Sequence, residues 1–172
     1  KTYANKAETD LRIQEIAIPK ANWVIDQYFR VNGKMPKSIL DVGTGSGHFV
    51  EACRRLGYKA DGVEISKTGI QFANDNFGIK LIDMDFVLDW DKLERYDIVT
   101  CWGVIEHTTY PVKILSTSNN VLKDKGVVVA GVPRWTSLST SIQRIFPSKI
   151  IRHLEPLGHI NCFTDSSLGI CL

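Results

Sequence analysis

A glycine-rich segment, SILDVGTGSGHF at residues 38–49, carries the strongest chemical signal in the sequence. Gly43, Gly45 and Gly47 follow an apolar stretch and precede a helix-like one, with Thr44 inside the turn. Glycine permits the positive φ angles of a tight turn, and its missing Cβ lets a ligand lie against the backbone. The helix that follows points unpaired N–H groups toward the same place. The segment therefore predicts a binding site for a small ligand.

The charge beside this turn indicates which ligand it suits. Asp41 lies two residues before Gly43, and no lysine or arginine occurs between Ser38 and Glu51. A carboxylate there would repel the pyrophosphate of a dinucleotide, and the GxGxG spacing differs from the GxGxxG fingerprint of dinucleotide sites. S-adenosylmethionine (SAM) carries a sulfonium and an ammonium group and no phosphate, so Asp41 would attract it. The turn therefore favours SAM over NAD.

Acidic residues also stand at the ends of the next two predicted strands. Glu64, followed by Ile65, ends the second strand, where a carboxylate can accept hydrogen bonds from both ribose hydroxyls of a nucleoside. Asp85 follows the third strand and could accept a hydrogen bond from the adenine amine, with Phe86 flanking the ring. Asp83 is the competing residue if that strand ends earlier. NAD enzymes share the acidic residue at the Glu64 position, so it predicts a nucleoside site in general.

Histidines supply the candidate proton acceptors. His107, in the segment VIEHTTY, follows the fourth predicted strand and is the best candidate for a general base. The favoured interpretation is that Glu106 and His107 only brace the loop. His153 and His159 could each touch a substrate, although packing or solvent exposure is the favoured interpretation for both. His48 follows the glycine turn on a helix and is expected to have no chemical role.

Alternating strands and helices must position these residues. The hydrophobic pattern predicts an N-terminal helical stretch at 10–31, split by Pro19, and then strands at 38–42, 59–65, 79–82, 96–102 and 127–132, with helices at 48–56, 67–76 and 111 to about 122. This order is typical of a Rossmann-like, doubly wound α/β fold with a mostly parallel sheet and helices on both faces. One domain is expected over 1–172, with N-terminal helices at 1–37, a cofactor-binding core at 38–133 and a lid or acceptor-side segment at 134–172.

The bulk composition excludes several classes of protein. The chain has 172 residues and a net charge of +2, which suits one core and gives no reason to expect a nucleic-acid partner. No run of eighteen apolar residues occurs, so no membrane span is expected. The sequence starts without the apolar core of a secretory signal, and its four cysteines form no CxxC pair. Reduced thiols in a cytoplasmic protein are therefore expected.

Residues 38 to 133 resemble the class I SAM-dependent methyltransferases, especially their broad small-molecule group. Five motifs match in order: LDVGTGSG, GVEIS, Asp85-Phe86, YDIVTCWGVIEH and KGVVVAGVP. The resemblance implies SAM as the cofactor, S-adenosylhomocysteine (SAH) as its product, and methyl transfer to a small-molecule acceptor by in-line displacement. It also implies that Asp41 and the turn backbone hold the methionine part, and that Cys101 and Trp102 line the methyl-donor pocket.

Two features depart from the family pattern. Some quinone-type relatives bind a divalent metal through a trio that includes an acidic residue three positions before Glu106. That position is Gly103 here, so no metal is predicted. The family also ends with an antiparallel hairpin, whereas this chain stops at Leu172 in a helix-like segment. The hairpin is therefore expected to be missing from this chain.

The acceptor is the least specified partner. The stretch from Gly126 to Leu154 contains no acidic residue. Its lysines and arginines are Arg134, Arg144, Lys149 and Arg152. These charges suggest an anionic acceptor or an anionic lipid surface, and a solvated basic face is the competing interpretation. The identity of the acceptor, the methylated atom and the oligomeric state stay open.

Three other functions stay open beside methyl transfer. A non-catalytic SAM-binding module would share the whole cofactor half. An NAD(P)-linked oxidoreductase is disfavoured by the GxGxG spacing and by Asp41, and an aminopropyl transferase would use a decarboxylated donor. A nucleic-acid acceptor is disfavoured because no basic stripe with interleaved aromatic residues is present.

Overall fold

Five parallel strands form the centre of the molecule, in the order β3-β2-β1-β4-β5. The structure, a computed structural model, describes residues 6–135 and 159–171. The strands are β1 Ser38–Val42, β2 Lys59–Glu64, β3 Ile82–Asp83, β4 Tyr96–Trp102 and β5 Leu122–Gly131. The α-helices are α1 Lys6–Arg12, α2 Ile18–Asn32, α3 His48–Arg55, α4 Lys67–Phe77, α5 Phe86–Asp89, α6 Pro111–Asn120 and α7 Asp165–Cys171. The Rossmann-like α/β fold predicted from the sequence is confirmed.

The strand order reverses at β1, which pairs with both β2 and β4. In register, Asp41 lies between Gly62 of β2 and Thr100 of β4. Open parallel sheets bind their ligands in the crevice outside the carboxyl ends of the strands at such a reversal. The topology therefore places the glycine turn, which follows β1, at the mouth of that crevice.

Two apolar layers cover the sheet, one on each face. The first layer lies under the N-terminal helices and α3, and its buried members include Val24, Ile39 and Ile98. The second lies under α6, and its buried members include Leu40 and Val99. Successive residues of a strand point to opposite faces, so neighbours such as Ile39 and Leu40 enter different layers. This burial on both faces explains why the strands read as continuous apolar runs.

The N-terminal stretch differs from its prediction. The stretch does form two α-helices, α1 and α2, but they are separated before Pro19, which lies in the first turn of α2, where proline is tolerated. The change of geometry comes just before, in a π-helical turn at Ile13–Ala17. Gly33 ends the helix in the left-handed conformation, with φ 66°.

The third and fifth strands also differ from their predicted bounds. Only Ile82 and Asp83 pair in β3, although Ile79 and Leu81 before them are buried. The apolar composition of this segment predicts that its residues are buried. It does not predict which of them form hydrogen bonds with a neighbouring strand. Conversely, β5 begins at Leu122, and its register against β4 shifts between Tyr96 and Ile98.

Residues 136–158 lie outside the described part of the chain. The predictions for Arg144, Lys149, Arg152 and His153 fall there. Arg134 is described, and its guanidinium forms an exposed ion pair with Asp165 at 2.6 Å. None of the helices in the described ranges combines the length and the apolar composition that crossing a membrane requires.

Candidate functional site

The glycine turn has the conformation that its sequence predicts. Gly43, Gly45 and Gly47 all have positive φ angles, of 65°, 59° and 75°. A Cβ added at Gly45 would meet no atom within 4 Å, so the backbone there faces open space. One added to Gly69 of α4 would lie 2.5 Å from the Gly45 carbonyl oxygen. The turn is therefore fixed from behind by α4 and open toward the crevice.

Asp41 is buried at the base of this turn. It is 3 % exposed, and the Thr100 hydroxyl donates a hydrogen bond of 2.6 Å to its carboxylate. Burial raises the pKa of Asp41 to about 6, against the opposing effects of the Thr100 hydrogen bond and the Lys20 charge. The Glu64 carboxylate raises this pKa further. An ionised Asp41 is thus costly in the free protein and would be stabilised by a nearby cation.

Glu64 ties the end of β2 to the glycine turn. One carboxylate oxygen accepts a hydrogen bond of 2.6 Å from the Gly45 amide. The other accepts hydrogen bonds from the amides of Ile65 and Ser66, at 2.9 and 2.8 Å. A carboxylate has about four acceptor sites, so only the oxygen that binds the Gly45 amide has a lone pair left for a further donor. Glu64 therefore organises the turn, and it keeps capacity to accept a hydrogen bond from a ligand.

Two cavities flank the turn, and Gly43 borders both. The first, called the β2–β3 cavity here, has a volume of about 720 Å³ and lies beside the ends of β2 and β3. Five further residues predicted for the site line it: Glu64, Ile65, Asp85, Phe86 and His107. The second, called the N-terminal cavity, has a volume of about 730 Å³ and lies under the N-terminal helices. Four further predicted residues line this one: Asp41, Thr44, Gly45 and Trp102.

Asp85, rather than Asp83, lies at the β2–β3 cavity. Asp83 is exposed outside the cavity and pairs with Lys67. One oxygen of Asp85 accepts hydrogen bonds from the amides of Val87 and Leu88, which caps helix α5. Of the two carboxylates that the sequence left as alternatives, Asp85 is therefore the one that lines this cavity.

Two predicted site residues line neither cavity. The Cys101 side chain is fully buried in the layer under α6, with Sγ 3.8 Å from the Ser118 hydroxyl, and its expected place in the methyl-donor pocket stays a prediction. This burial follows from strand alternation, since Thr100 and Trp102 face Asp41 and Cys101 points to the opposite face. Gly47 is buried, and a Cβ there would lie 3.1 Å from Ala73, so it serves packing between helices.

The sequence did not predict the contribution of the N-terminal helices. Lys20 of α2 lines the N-terminal cavity, with Nζ 4.6 Å from the centre of the Trp102 ring. Phe49 also lines this cavity and packs against Trp102, with 5.7 Å between the ring centres. No local pattern links α2 to the end of β4, because only the folded sheet brings them together. Met84 and Val104 of the β2–β3 cavity were missed as well.

The three histidines in the described ranges occupy two different settings. His107 is exposed at the β2–β3 cavity, and its ring meets that of His159 edge to face, with 4.7 Å between ring centres. His48 lies against Phe72 and Phe77, and burial together with the Arg12 charge lowers the pKa of His48 to about 4. His48 is therefore neutral at physiological pH. Its expected lack of a chemical role stays a prediction.

A comparison with known families decides the affiliation of the chain. Residues 21–172 match the family described as "Methyltransferase domain". This chain belongs to that methyltransferase family. The resemblance drawn from the five motifs is thereby confirmed.

Curated relatives of this methyltransferase domain cover its core. The ubiquinone biosynthesis O-methyltransferase of Actinobacillus pleuropneumoniae serotype 5b (strain L20) is 27% identical over 109 residues, 58% of this chain and 47% of that protein. The protein of the same name from Stutzerimonas stutzeri (strain A1501) is 24% identical over 126 residues, 67% of this chain and 51% of that protein. The chain thus spans about half the length of the curated relatives it matches.

Solved structures agree on the fold of this methyltransferase domain. The plantazolicin methyltransferase BpumL, in complex with a pentazolic desmethylPZN analogue and SAH, has a TM-score of 0.70 at 21% identity, covering 97% of this chain and 67% of that one. A SAM-dependent methyltransferase from Archaeoglobus fulgidus has a TM-score of 0.66 at 20% identity, covering 97% and 72%. At this identity the likeness concerns the fold.

Proposed function

We propose that the domain binds SAM across the two cavities and supports methyl transfer to a small-molecule acceptor. The observation that carries this proposal is the buried carboxylate of Asp41, which lines the N-terminal cavity at the glycine turn, while Gly43 of the same turn borders both cavities. A sulfonium and an ammonium group would compensate the cost of ionising Asp41. A phosphate-bearing ligand would raise that cost.

The residues present fit such a cofactor. In the β2–β3 cavity, Glu64 would accept a hydrogen bond from a ribose hydroxyl through the oxygen that binds the Gly45 amide, and Asp85 would meet the adenine amine. Ile65 and Phe86 would flank the ring. In the N-terminal cavity, the ammonium of Lys20 lies where it could pair with the methionine carboxylate, a role that the sequence alone did not suggest.

Positioning is the main task of the protein chain in this reaction. Bound SAM supplies an activated methyl group on a sulfonium, so no strong electrophilic assistance is needed. The turn backbone and Trp102 would hold the donor, and the walls of the N-terminal cavity would exclude water. Correct alignment of two reactants is worth roughly 7–11 kcal/mol of the barrier.

Two groups of residues bear on the acceptor. His107 borders the β2–β3 cavity and stays the proposed general base for an acceptor that must lose a proton, such as a hydroxyl. The anionic character of the acceptor rests on Arg134 together with the basic residues outside the described ranges. The cytoplasmic location also stays a prediction.

Calorimetric titration tests the cofactor assignment. We expect SAM and SAH to bind, and NAD and decarboxylated SAM to bind far more weakly, because neither places the same charges beside Asp41 and Lys20. Turnover of SAM with a panel of phenolic, amine and carboxylate acceptors then tests the activity. Tight binding of NAD without binding of SAM would overturn the proposal, and binding of SAM without any turnover would favour a non-catalytic module.

Exchanging Asp85 for asparagine should weaken SAM binding about tenfold with little loss of stability. Asparagine is as good a helix cap as aspartate, so the hydrogen bonds from Val87 and Leu88 can persist while the negative charge disappears. Asp83→Asn is the matched control, because Asp83 ends the same strand outside the cavity. Equal losses of affinity in the two variants would contradict the role of Asp85.

A further inference from the structure

Three side chains with metal-binding groups meet beside the β2–β3 cavity. Glu106, His107 and His159 each offer one ligand atom, and these atoms all lie within 4.8 Å of one another. The burial differs across the cluster, since Glu106 is buried, His107 is exposed and His159 is intermediate. The cluster therefore has a buried carboxylate at its base and an imidazole at its open side.

The backbone fixes this cluster although its members are distant in sequence. The amides of Ile160 and Asn161 both donate to the Glu106 carbonyl oxygen, at 2.8 and 3.0 Å. The Asn161 side chain donates to the carbonyl oxygens of Ile105 and Thr108, at 3.1 and 2.6 Å. These four hydrogen bonds hold residues 159–161 against the turn that follows β4. The position of His159 next to His107 is therefore built into the fold.

The carboxylate of Glu106 provides a second, independent observation. Glu106 is 3 % exposed, and within the described residues its Oε2 atom has no hydrogen-bond partner. A buried carboxylate oxygen without a partner carries a large desolvation cost, which proteins normally offset with a hydrogen bond or a bound cation. A cation among the three groups would offset it here.

We propose that Glu106, His107 and His159 bind a divalent transition-metal ion of the zinc class. Two imidazoles with one carboxylate suit Zn²⁺, Co²⁺ or Fe²⁺, whereas Mg²⁺ prefers oxygen ligands alone. Ligands at about 2.1 Å from such an ion stand at most about 4.2 Å apart, so small side-chain rotations close the site. Three protein ligands leave a fourth position open to water or to an oxygen of another molecule.

This ligand set differs from the trio of the quinone-type relatives, in which the position of Gly103 is acidic. The sequence predicted no metal because that prediction rested on the immediate neighbours of Glu106, and His159 lies 53 positions further along the chain. Coordination of an acceptor oxygen at the open position would rest on the proposed function, and with the ion bound the metal, rather than His107, would assist the loss of the acceptor proton. Metal binding itself does not rest on that function, because its test contains no SAM and no acceptor.

Titration of the metal-free protein with Co²⁺, followed by visible absorption, and with Zn²⁺, followed by calorimetry, tests the proposal. We expect one ion per chain, displacement of Co²⁺ by Zn²⁺, and no displacement by excess Mg²⁺. Removing a residue that only orients a metal ligand weakens metal binding by roughly 10- to 100-fold. His159→Ala should weaken Zn²⁺ binding by more than this, because it removes a ligand. His48→Gln is the matched control, because His48 lies in the other cavity, and it should leave the affinity unchanged.

A variant that gains a spectroscopic signal excludes unfolding as the cause of weaker metal binding. His159→Cys should give the Co²⁺ complex a thiolate-to-metal charge-transfer band that the wild-type complex lacks, since this band requires a sulfur in the coordination sphere. Absence of a visible Co²⁺ spectrum in the wild type would overturn the proposal. So would equal Zn²⁺ affinity in wild type and His159→Ala, or a folded His159→Cys variant without the new band.

Discussion

Replacing Asp41 with asparagine is expected to weaken SAM binding by about 10- to 100-fold and to leave the free domain at least as stable as the wild type at neutral pH. The loss of affinity follows from losing the buried negative charge beside the cationic ligand. The retained stability follows because the amide oxygen of the new side chain would still accept the Thr100 hydrogen bond without the cost of a buried charge. Calorimetry with SAM and thermal unfolding of the free protein measure the two effects.

Asp97 supplies the contrasting control on the neighbouring strand. Asp97 is also buried, at 8 % exposure, but it lies near the start of β4, at the opposite end of the strands from the glycine turn. Burial alone would raise its pKa, but hydrogen bonds from Lys123, the Lys37 amide and Ser38 outweigh burial and lower the pKa of Asp97. Asp97→Asn should therefore cost about 2 kcal/mol of stability and leave SAM affinity unchanged. If Asp97→Asn were as stable as the wild type and Asp41→Asn unfolded, the prediction would be contradicted. Asp41 would then be the carboxylate that stabilises the fold.

We expect the same carboxyl group of Asp41 to make SAM affinity depend on pH. Because the pKa of Asp41 is about 6, the cation-binding form is fully present above pH 7 and declines below pH 6. Affinity should then fall about tenfold per pH unit below the pKa, and Asp41→Asn should remove this dependence. The stability of the free protein runs the other way. The folded state keeps the proton up to pH 6 while the unfolded state releases it near the ordinary value of 3.8, so stability decreases as the pH rises between these values.

The grouping of residues around the glycine turn could be predicted because its signals are local. The segment LDVGTGSG fixes a strand, a turn and the start of a helix within a short stretch of chain, and the acidic residues at the strand ends reach the same edge in any parallel sheet. Cys101 shows what a motif match leaves open. A motif gives a position along β4 but not the face to which the side chain points. The hydrogen bond between Thr100 and Asp41 sets that face, and it follows from the register of β1 against β4.

Contacts between distant segments could not be predicted at all. Lys20 reaches Trp102 because α2 packs over the end of β4, and His159 reaches His107 because Asn161 is bound to the turn after β4. Neither contact leaves a periodicity or a spacing in the sequence. Both depend on how the helices and the C-terminal segment dock on the finished sheet.

Glu64→Ala should lower the free energy of unfolding by about 2–4 kcal/mol and also reduce SAM binding below detection. The stability loss arises because three backbone amides, those of Gly45, Ile65 and Ser66, lose their hydrogen-bond acceptor. The loss of binding arises because the ribose loses its acceptor and the glycine turn loses its tie to β2. Denaturant unfolding and calorimetry measure both quantities.

Two further variants separate these causes. Glu64→Gln keeps the shape and one acceptor oxygen but turns an amide group toward backbone N–H donors, so its stability should fall between wild type and Glu64→Ala. Glu94→Ala removes a carboxylate from an exposed ion pair with Lys59, far from the turn, and its melting temperature should match the wild type. A Glu64→Ala variant as stable as Glu94→Ala would mean that the three amides find water instead. The turn would then be held by Gly69 and α4 rather than by the carboxylate.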